Sequence, residues 1–137
     1  MGGFFGITSK QDCVVDVFFG TDYHSHLGTR RGGMAAYDEE IGLQRTIHNI
    51  ENSPFRTKFD ATLEEMKGTA CIGCISDMDP QPFLIRSRYG TFAITTVGVI
   101  NNAEQLISRF FAEGGNHFES MSGGKVNDIS TITATPI

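Results

Sequence analysis

The chain has 137 residues, a formal net charge of −5, 39% hydrophobic and 20% charged residues, eleven Phe and no Trp. That is enough for one globular domain over residues 1–137, with a core built from Phe and branched aliphatics. The acidic balance argues against non-specific binding to nucleic acid or to anionic membranes; no apolar run approaches the roughly 18 residues of a membrane span, and no signal-peptide pattern opens the chain.

Residues 1–7 are apolar and Gly-rich and predict a strand. Ser9 to Asp12 resembles a capping box, and Val14, Val15, Phe18 and Phe19 recur behind it at helical spacing, with Tyr23 and Leu27 extending the face and Gly28 ending it. Arg30-Arg31-Gly32-Gly33 reads as a loop. Residues 34–37 and 42–50 read as strands joined by an acidic turn at Asp38-Glu39-Glu40. Asn52-Ser53-Pro54 breaks the pattern, and 61–67 predicts a short helix stopped by Gly68. Residues 70–75 predict a buried strand, Pro80 and Pro82 bracket a loop, and 83–88 and 91–97 predict strands around a Tyr89-Gly90 turn. Asn102 with Gln105 forms a capping box, after which Leu106, Ile107, Phe110 and Phe111 share one helix face that ends at Gly114-Gly115. The tail from Ser122 is polar and carries no expected element. Strands grouped on both sides of short helices predict an α+β fold.

Several residues could carry chemistry, and most have a plainer reading. Cys71 and Cys74 have redox or zinc spacing, but in a strand residues three apart point to opposite faces, so two small buried residues are expected and no metal site. Three Cys without framework spacing fit a reducing, cytosolic compartment. His24 and His26 read as solvated or capping residues at a helix end. Arg30 and Arg31 beside two glycines could hold an anion, although a structural loop with surface charge is the simpler reading. Asp77 and Asp79 read as solvated turn carboxylates.

A distributed set of motifs carries the sharper signal. Met1-Gly2-Gly3-Phe4-Phe5-Gly6-Ile7 is similar to an M-C-G-x-F-G-I opening, and Arg31-Gly32 to the Arg-Gly of an H-R-G-Q-x-S loop. Ile72-Gly73 matches the start of an I-G-H-x-R-Y strand, and Gln81-Pro82-Phe83 matches Q-P-F. The run from Thr96 to Glu104 is similar to H-N-G-N-L-x-N-A-E. In this order they resemble the class II glutamine amidotransferase domain of the amidophosphoribosyltransferases, from Gly2 to about Asp128.

The resemblance implies an N-terminal-nucleophile αββα sandwich, two antiparallel sheets between helix layers. The family domain normally continues well beyond position 137, so the chain is expected to be the N-terminal part of such a domain, with the sandwich incomplete. A phosphoribosyltransferase domain is the expected C-terminal partner in the full-length protein. No cofactor, nucleic acid or membrane partner is implied, and cytoplasmic purine biosynthesis is the expected setting. An incomplete sandwich leaves strand edges and apolar faces unpaired, so a homo-oligomer is expected.

In the family an N-terminal Cys attacks the glutamine amide, an Asn side chain and a Gly N–H hold the oxyanion, an Arg on the I-G-H-x-R strand binds the glutamine carboxylate, and an Asp receives its ammonium. Carried over, the nucleophile position is Gly2, the oxyanion Asn is Val97, and the oxyanion Gly survives as Gly98. Arg31 and Gly32 match the Arg-Gly loop, Ser76 stands at the carboxylate-binding Arg, and Asp128 matches the ammonium-binding Asp. The resemblance therefore implies a degenerate glutaminase site with Arg31, Gly32, Ser76 and Asp128 as vestiges of substrate binding. The alternatives are a non-catalytic interaction or ligand-binding module using the former pocket, or a rebuilt site using Cys71 or Cys74.

Overall fold

A computed structural model describes residues 2–27, 30–113, 121–122 and 125–126. They form the expected α+β fold, with three α-helices and only antiparallel strand pairs. By packing, the chain falls into two compact units, Met1–Val97 and Gly98–Ile137.

The first unit is built on a four-stranded sheet in the order β1-β4-β2-β3, made of β1 (Gly3–Thr8), β2 (Arg31–Asp38), β3 (Gly42–Asn49) and β4 (Ala70–Ser76). β2 and β3 form a hairpin whose acidic turn is closed by Asp38: its Oδ2 accepts the Glu40 N–H at 3.0 Å and the Ile41 N–H at 3.1 Å. Gly42 follows at φ +87°, a conformation that favours glycine.

Helices α1 (Val14–Tyr23) and α2 (Phe55–Glu65) cover one face. Asp12 organises the start of α1. Its Oδ1 accepts the Val14 N–H at 3.1 Å, while its Oδ2 accepts the Gly68 N–H at 3.0 Å and ties the helix to the approach to β4. The capping residue next to the helix is Cys13, which makes no side-chain cap, so the box expected from Ser9 does not form at the helix end. The buried face is Val14, Val17, Phe18 and Thr21, while Val15 and Phe19 are 48% and 53% exposed. The helix is turned away from the 14/15/18/19 face because Thr21 lies directly on Gly73 of β4, where a Cβ would collide with its hydroxyl. α1 stops at Tyr23, with His24 Nδ1 hydrogen-bonded to Gly20 O at 2.8 Å, and a 3-10 turn at Ser25–Leu27 follows; Gly28 lies outside the described residues.

α2 begins at Phe55, directly after Pro54, rather than at residue 61. Phe55 and Phe59 lie one turn apart with rings stacked at 4.3 Å, Phe55 stacks on Phe18 at 5.6 Å, and the His48 ring meets Phe59 edge-on at 4.7 Å. Phe18, Phe55 and Phe59 are almost fully buried. Each stabilises the fold by roughly 1.5–3 kcal/mol relative to exposure.

The opposite face is met by the loop at 77–82 and by a hairpin of β5 (Phe83–Ser87) and β6 (Gly90–Ile94). Gly90 has φ +116° at the expected turn. Arg45 Nη1 donates to Pro82 O at 3.5 Å, and the Gln81 carbonyl sits so close to Gly33 that a Cβ there would collide with it. The segment expected as a loop at 30–33 is therefore strand from Arg31 onward. Gly32 and Gly33 serve close approach by the Phe55 ring on one face and by Gln81 on the other, and do not make a turn.

In the second unit, α3 (Ala103–Glu113) follows Asn102, whose carbonyl accepts the Leu106 N–H at 3.1 Å. Leu106 and Ile107 are half-buried, Phe110 is buried, and Phe111 is 54% exposed. Where no element was expected, β7 (Met121–Ser122) pairs with β8 (Lys125–Val126). Among the described residues no helix is long and apolar enough to cross a membrane.

Candidate functional site

The ends of β1, β4 and β2 bring together positions that are far apart in the sequence. Gly3 pairs with Ile75, so Gly2 lies beside Ser76, and Arg31 pairs with Ser76 from the other side. Gly32, next to Arg31, pairs with Ile75. Gly2, Arg31, Gly32 and Ser76 thus meet at one end of the sheet because the strands run antiparallel in matched register.

Their chemistry is sparse. Gly2 is half-buried, and a Cβ built on it would fall against the Ile75 carbonyl oxygen. Backbone, not a flexible side chain, fills that space. Ser76 is buried, and its hydroxyl accepts the Met78 N–H at 3.3 Å. A serine here has neither the length nor the charge to clamp a carboxylate. Arg31 is half-buried and makes no ion pair with another described residue, whereas Arg30 approaches Glu51 at 3.8 Å. Asp77 and Asp79, expected to be solvated, are half-buried and each engaged in an interaction.

Gln81 organises the neighbouring wall. Its side chain is buried, and Oε1 accepts the Thr95 hydroxyl at 2.8 Å and the Thr96 N–H at 2.7 Å, with the Cys74 thiol 3.8 Å away. Cys74 lies two positions before Ser76 on the same face of β4, so the 95–96 segment is pinned next to the strand-end cluster. β6 consequently ends at Ile94, short of the expected residue 97: Thr95 and Thr96 leave the hairpin to reach Gln81. Val97 comes next and is 42% exposed, an apolar side chain with no hydrogen-bonding group. Gly98 has φ +152°, in the region that favours glycine. Asp128 lies outside the described residues. Sequence reasoning matched Gln81 to a motif and gave it no task; a Gln between two prolines, Pro80 and Pro82, was the available signal.

The three cysteines are free and buried. Cys71 points into the helix-covered core and Cys74 to the opposite face, as the strand spacing requires. Burial pushes the Cys71 thiol up to about 12, with smaller contributions from Cys13 and Asp12, and burial also raises the thiol of Cys74. Both are neutral thiols at neutral pH, and the thiolate is the reactive form. Among the described residues no group of His, Cys, Asp and Glu could hold a metal ion.

A cavity of about 530 Å³ lies at the far end of the same strands, between the sheet and β6, lined by residues that include Thr8, Tyr37, Leu43, Ala70, Ile72 and Phe92. It is mainly apolar and separate from the strand-end cluster.

No protein-family model matches the chain, and no curated protein sequence matches it. Solved structures do. The chain is similar to glutamine phosphoribosylpyrophosphate amidotransferase from B. subtilis, complexed with ADP and GMP, at 22% identity and a TM-score of 0.75, over 98% of this chain and 28% of that one. It is also similar to a structure described as the allosteric regulatory enzyme of purine biosynthesis, at 23% identity and a TM-score of 0.67, over 85% of this chain and 26% of that one. The likeness establishes the fold expected from the motifs, the N-terminal-nucleophile type of α+β fold. The chain spans little more than a quarter of the length of these structures.

Proposed function

We propose, from the premise that the chain has a glutamine phosphoribosylpyrophosphate amidotransferase fold, that it is the N-terminal part of an amidotransferase domain that has lost its glutaminase chemistry. The observation that carries this reading is the strand-end cluster. Gly2, Ser76 and Arg31 meet where the motif comparison puts nucleophile, carboxylate clamp and Arg-Gly segment; Gly2 has no side chain, and the Ser76 hydroxyl carries no charge to pair with a carboxylate. The buried, raised thiols of Cys71 and Cys74 speak against a substitute nucleophile.

In this reading the domain's role is structural or regulatory within an amidophosphoribosyltransferase-like protein of purine biosynthesis in the cytoplasm. A C-terminal phosphoribosyltransferase domain supplies transfer chemistry with free ammonia. The second reading, a non-catalytic interaction or ligand-binding module using the former glutamine pocket, is favoured by Arg31, half-buried in the strand-end cluster with no ion pair to another described residue.

The test is ammonia release from glutamine by the parent chain, by Gly2→Cys, and by Gly2→Cys combined with Val97→Asn and Ser76→Arg, each with Met1 removal confirmed by N-terminal sequencing. The parent is expected to show none. Gly2→Cys alone is expected to show none as well. Loss of a nucleophile can cost on the order of 10⁶ in rate, and the missing oxyanion donor a further 10²–10³ or so. The new Cβ also meets the Ile75 carbonyl, so the N-terminal backbone must shift before a thiol could be aimed. Turnover by the parent chain would overturn the reading. Robust turnover from Gly2→Cys alone would show that the pocket survives.

A further inference from the structure

Arg31 is a half-buried cation at the start of β2 with no ion pair to another described residue. The charges around it are already committed. Arg30 faces Glu51 at 3.8 Å, and Asn49 holds Glu51 as well, donating to its carboxylate at 3.5 Å and accepting its N–H at 2.8 Å. Asp77 and Asp79, which follow Ser76 in the chain, are half-buried and each engaged in an interaction. A guanidinium that has given up part of its hydration without gaining a counter-charge is a site that an anion can satisfy.

The sheet supplies a second donor. Arg31 is the cross-strand partner of Ser76, so the two side chains leave the same face of the sheet with Cβ atoms about 5 Å apart. That face is the one opposite the helices, because Ser76 lies two residues after Cys74, whose thiol is 3.8 Å from Gln81 Oε1. The Ser76 oxygen accepts the Met78 N–H at 3.3 Å, which leaves its proton to donate. Beyond Ser76, Gly2 contributes no side chain. Inward along the strands, the Gln81 carbonyl closes over Gly33 and walls this niche off from the rest of the face.

We infer that the niche binds the carboxylate of a small monocarboxylic acid, with the Arg31 guanidinium and the Ser76 hydroxyl as its donors. The inference rests on the second reading above, a ligand-binding module in the former pocket, and names its ligand class. The charge comes from Arg31, whose planar fork matches a carboxylate in two parallel N–H···O bonds; the Ser76 hydroxyl adds a third bond. A single cation beside Asp77, Asp79 and Glu51, on a chain of net charge −5, offsets one negative charge and no more. It therefore selects a monoanion over a phosphate ester or a pyrophosphate. The niche is open at the strand end, so binding is weak, with a dissociation constant on the order of 1 mM.

Solution NMR of the isotope-labelled chain, titrated with sodium propionate in exchange for sodium chloride at constant ionic strength, tests this. The expected result is a saturable shift of the Arg31, Gly32, Ser76 and Asp77 amides, abolished by Arg31→Gln. Arg31→Lys keeps the charge but loses the fork, and Ser76→Ala loses the third bond; each is expected to weaken binding about tenfold. Arg30→Gln removes the same charge one residue away and is expected to leave affinity unchanged. Spectral dispersion shows whether each variant is folded, and the Lys and Ala variants carry the comparison if Arg31→Gln is not. Binding that survives Arg31→Gln, or that is unchanged in both Arg31→Lys and Ser76→Ala, overturns the inference. So does equal weakening by Arg30→Gln, which would mark general charge attraction. Saturable shifts of the same amides with inorganic phosphate and none with propionate overturn the carboxylate class and leave the pocket reading standing. No saturable shift with either anion overturns both. No turnover is measured, so none of these outcomes bears on the loss of glutaminase chemistry.

Discussion

On one face of the β1-β4-β2-β3 sheet, α1 and α2 close over Met34, Ala36, Cys71 and Ile75 with three nearly inaccessible Phe rings. On the other, a short hairpin and the 77–82 loop leave Phe4, Tyr37 and Phe92 exposed at 56%, 47% and 41%. The covered face is a packing solution: Thr21 against Gly73 and Phe55 against Gly32 leave no room for one added carbon. The open face carries the strand-end cluster, where Gln81 pins the neighbouring wall and where, in the function proposed above, Gly2, Ser76 and Val97 no longer supply the groups a glutaminase needs. Packing positions and catalytic positions thus have separate requirements. A chain can satisfy the first and drop the second, because stability depends on burial and a reaction depends on a few functional groups.

The largest test of this contrast is a matched pair. Phe59→Ala on the covered face is expected to cost about 3–5 kcal/mol, while Phe92→Ala on the open face costs under about 1 kcal/mol. Urea unfolding of both variants reads the difference. Equal costs would show that the two faces are equally packed.

Alkaline pH probes the covered face next. The Cys71 thiol is raised from its ordinary 9.0 to about 12, mainly by burial. Below pH 9 it is neutral in both folded and unfolded chains, and its contribution is intact. Above pH 9 the unfolded chain ionises while the folded one resists, so stability falls as pH rises toward about 12, at up to ~1.4 kcal/mol per unit. Unfolding free energies from pH 8 to 11 are expected to decline less steeply in Cys71→Ala; an unchanged slope would mean that the thiol is accessible.

The most local effect sharpens the open face. Gln81→Leu leaves the Thr95 hydroxyl and the Thr96 N–H without their acceptor and is expected to destabilise by about 1–3 kcal/mol. Amide exchange should accelerate locally at Thr96, with the core strands protected as before. If exchange rises uniformly, Gln81 is a general core residue and no specific pin.

The amino-acid sequence by itself determined the pieces that rest on local physics. The acidic turn at Asp38, the hairpin turn at Gly90, the strands expected over 1–7 and 70–75 and the opposite facing of Cys71 and Cys74 all follow from side-chain alternation and turn chemistry; all are present, the strands at Gly3–Thr8 and Ala70–Ser76. The motif resemblance also named Gly2, Arg31, Gly32 and Ser76 before their meeting point was visible. Features set by contact between distant segments are not legible in this way. α1 presents Val17 and Thr21 to the sheet because Gly73 leaves a slot there. Gly32 and Gly33 are strand because a ring and a carbonyl must approach them. α2 starts at Phe55 because that ring completes the stack with Phe18 and Phe59. Gln81 becomes a pin because three partners from two other segments converge on one oxygen. Periodicity reports which residues share a face of their own element, but the identity of the opposing surface, and hence which face is buried, is a property of the folded whole.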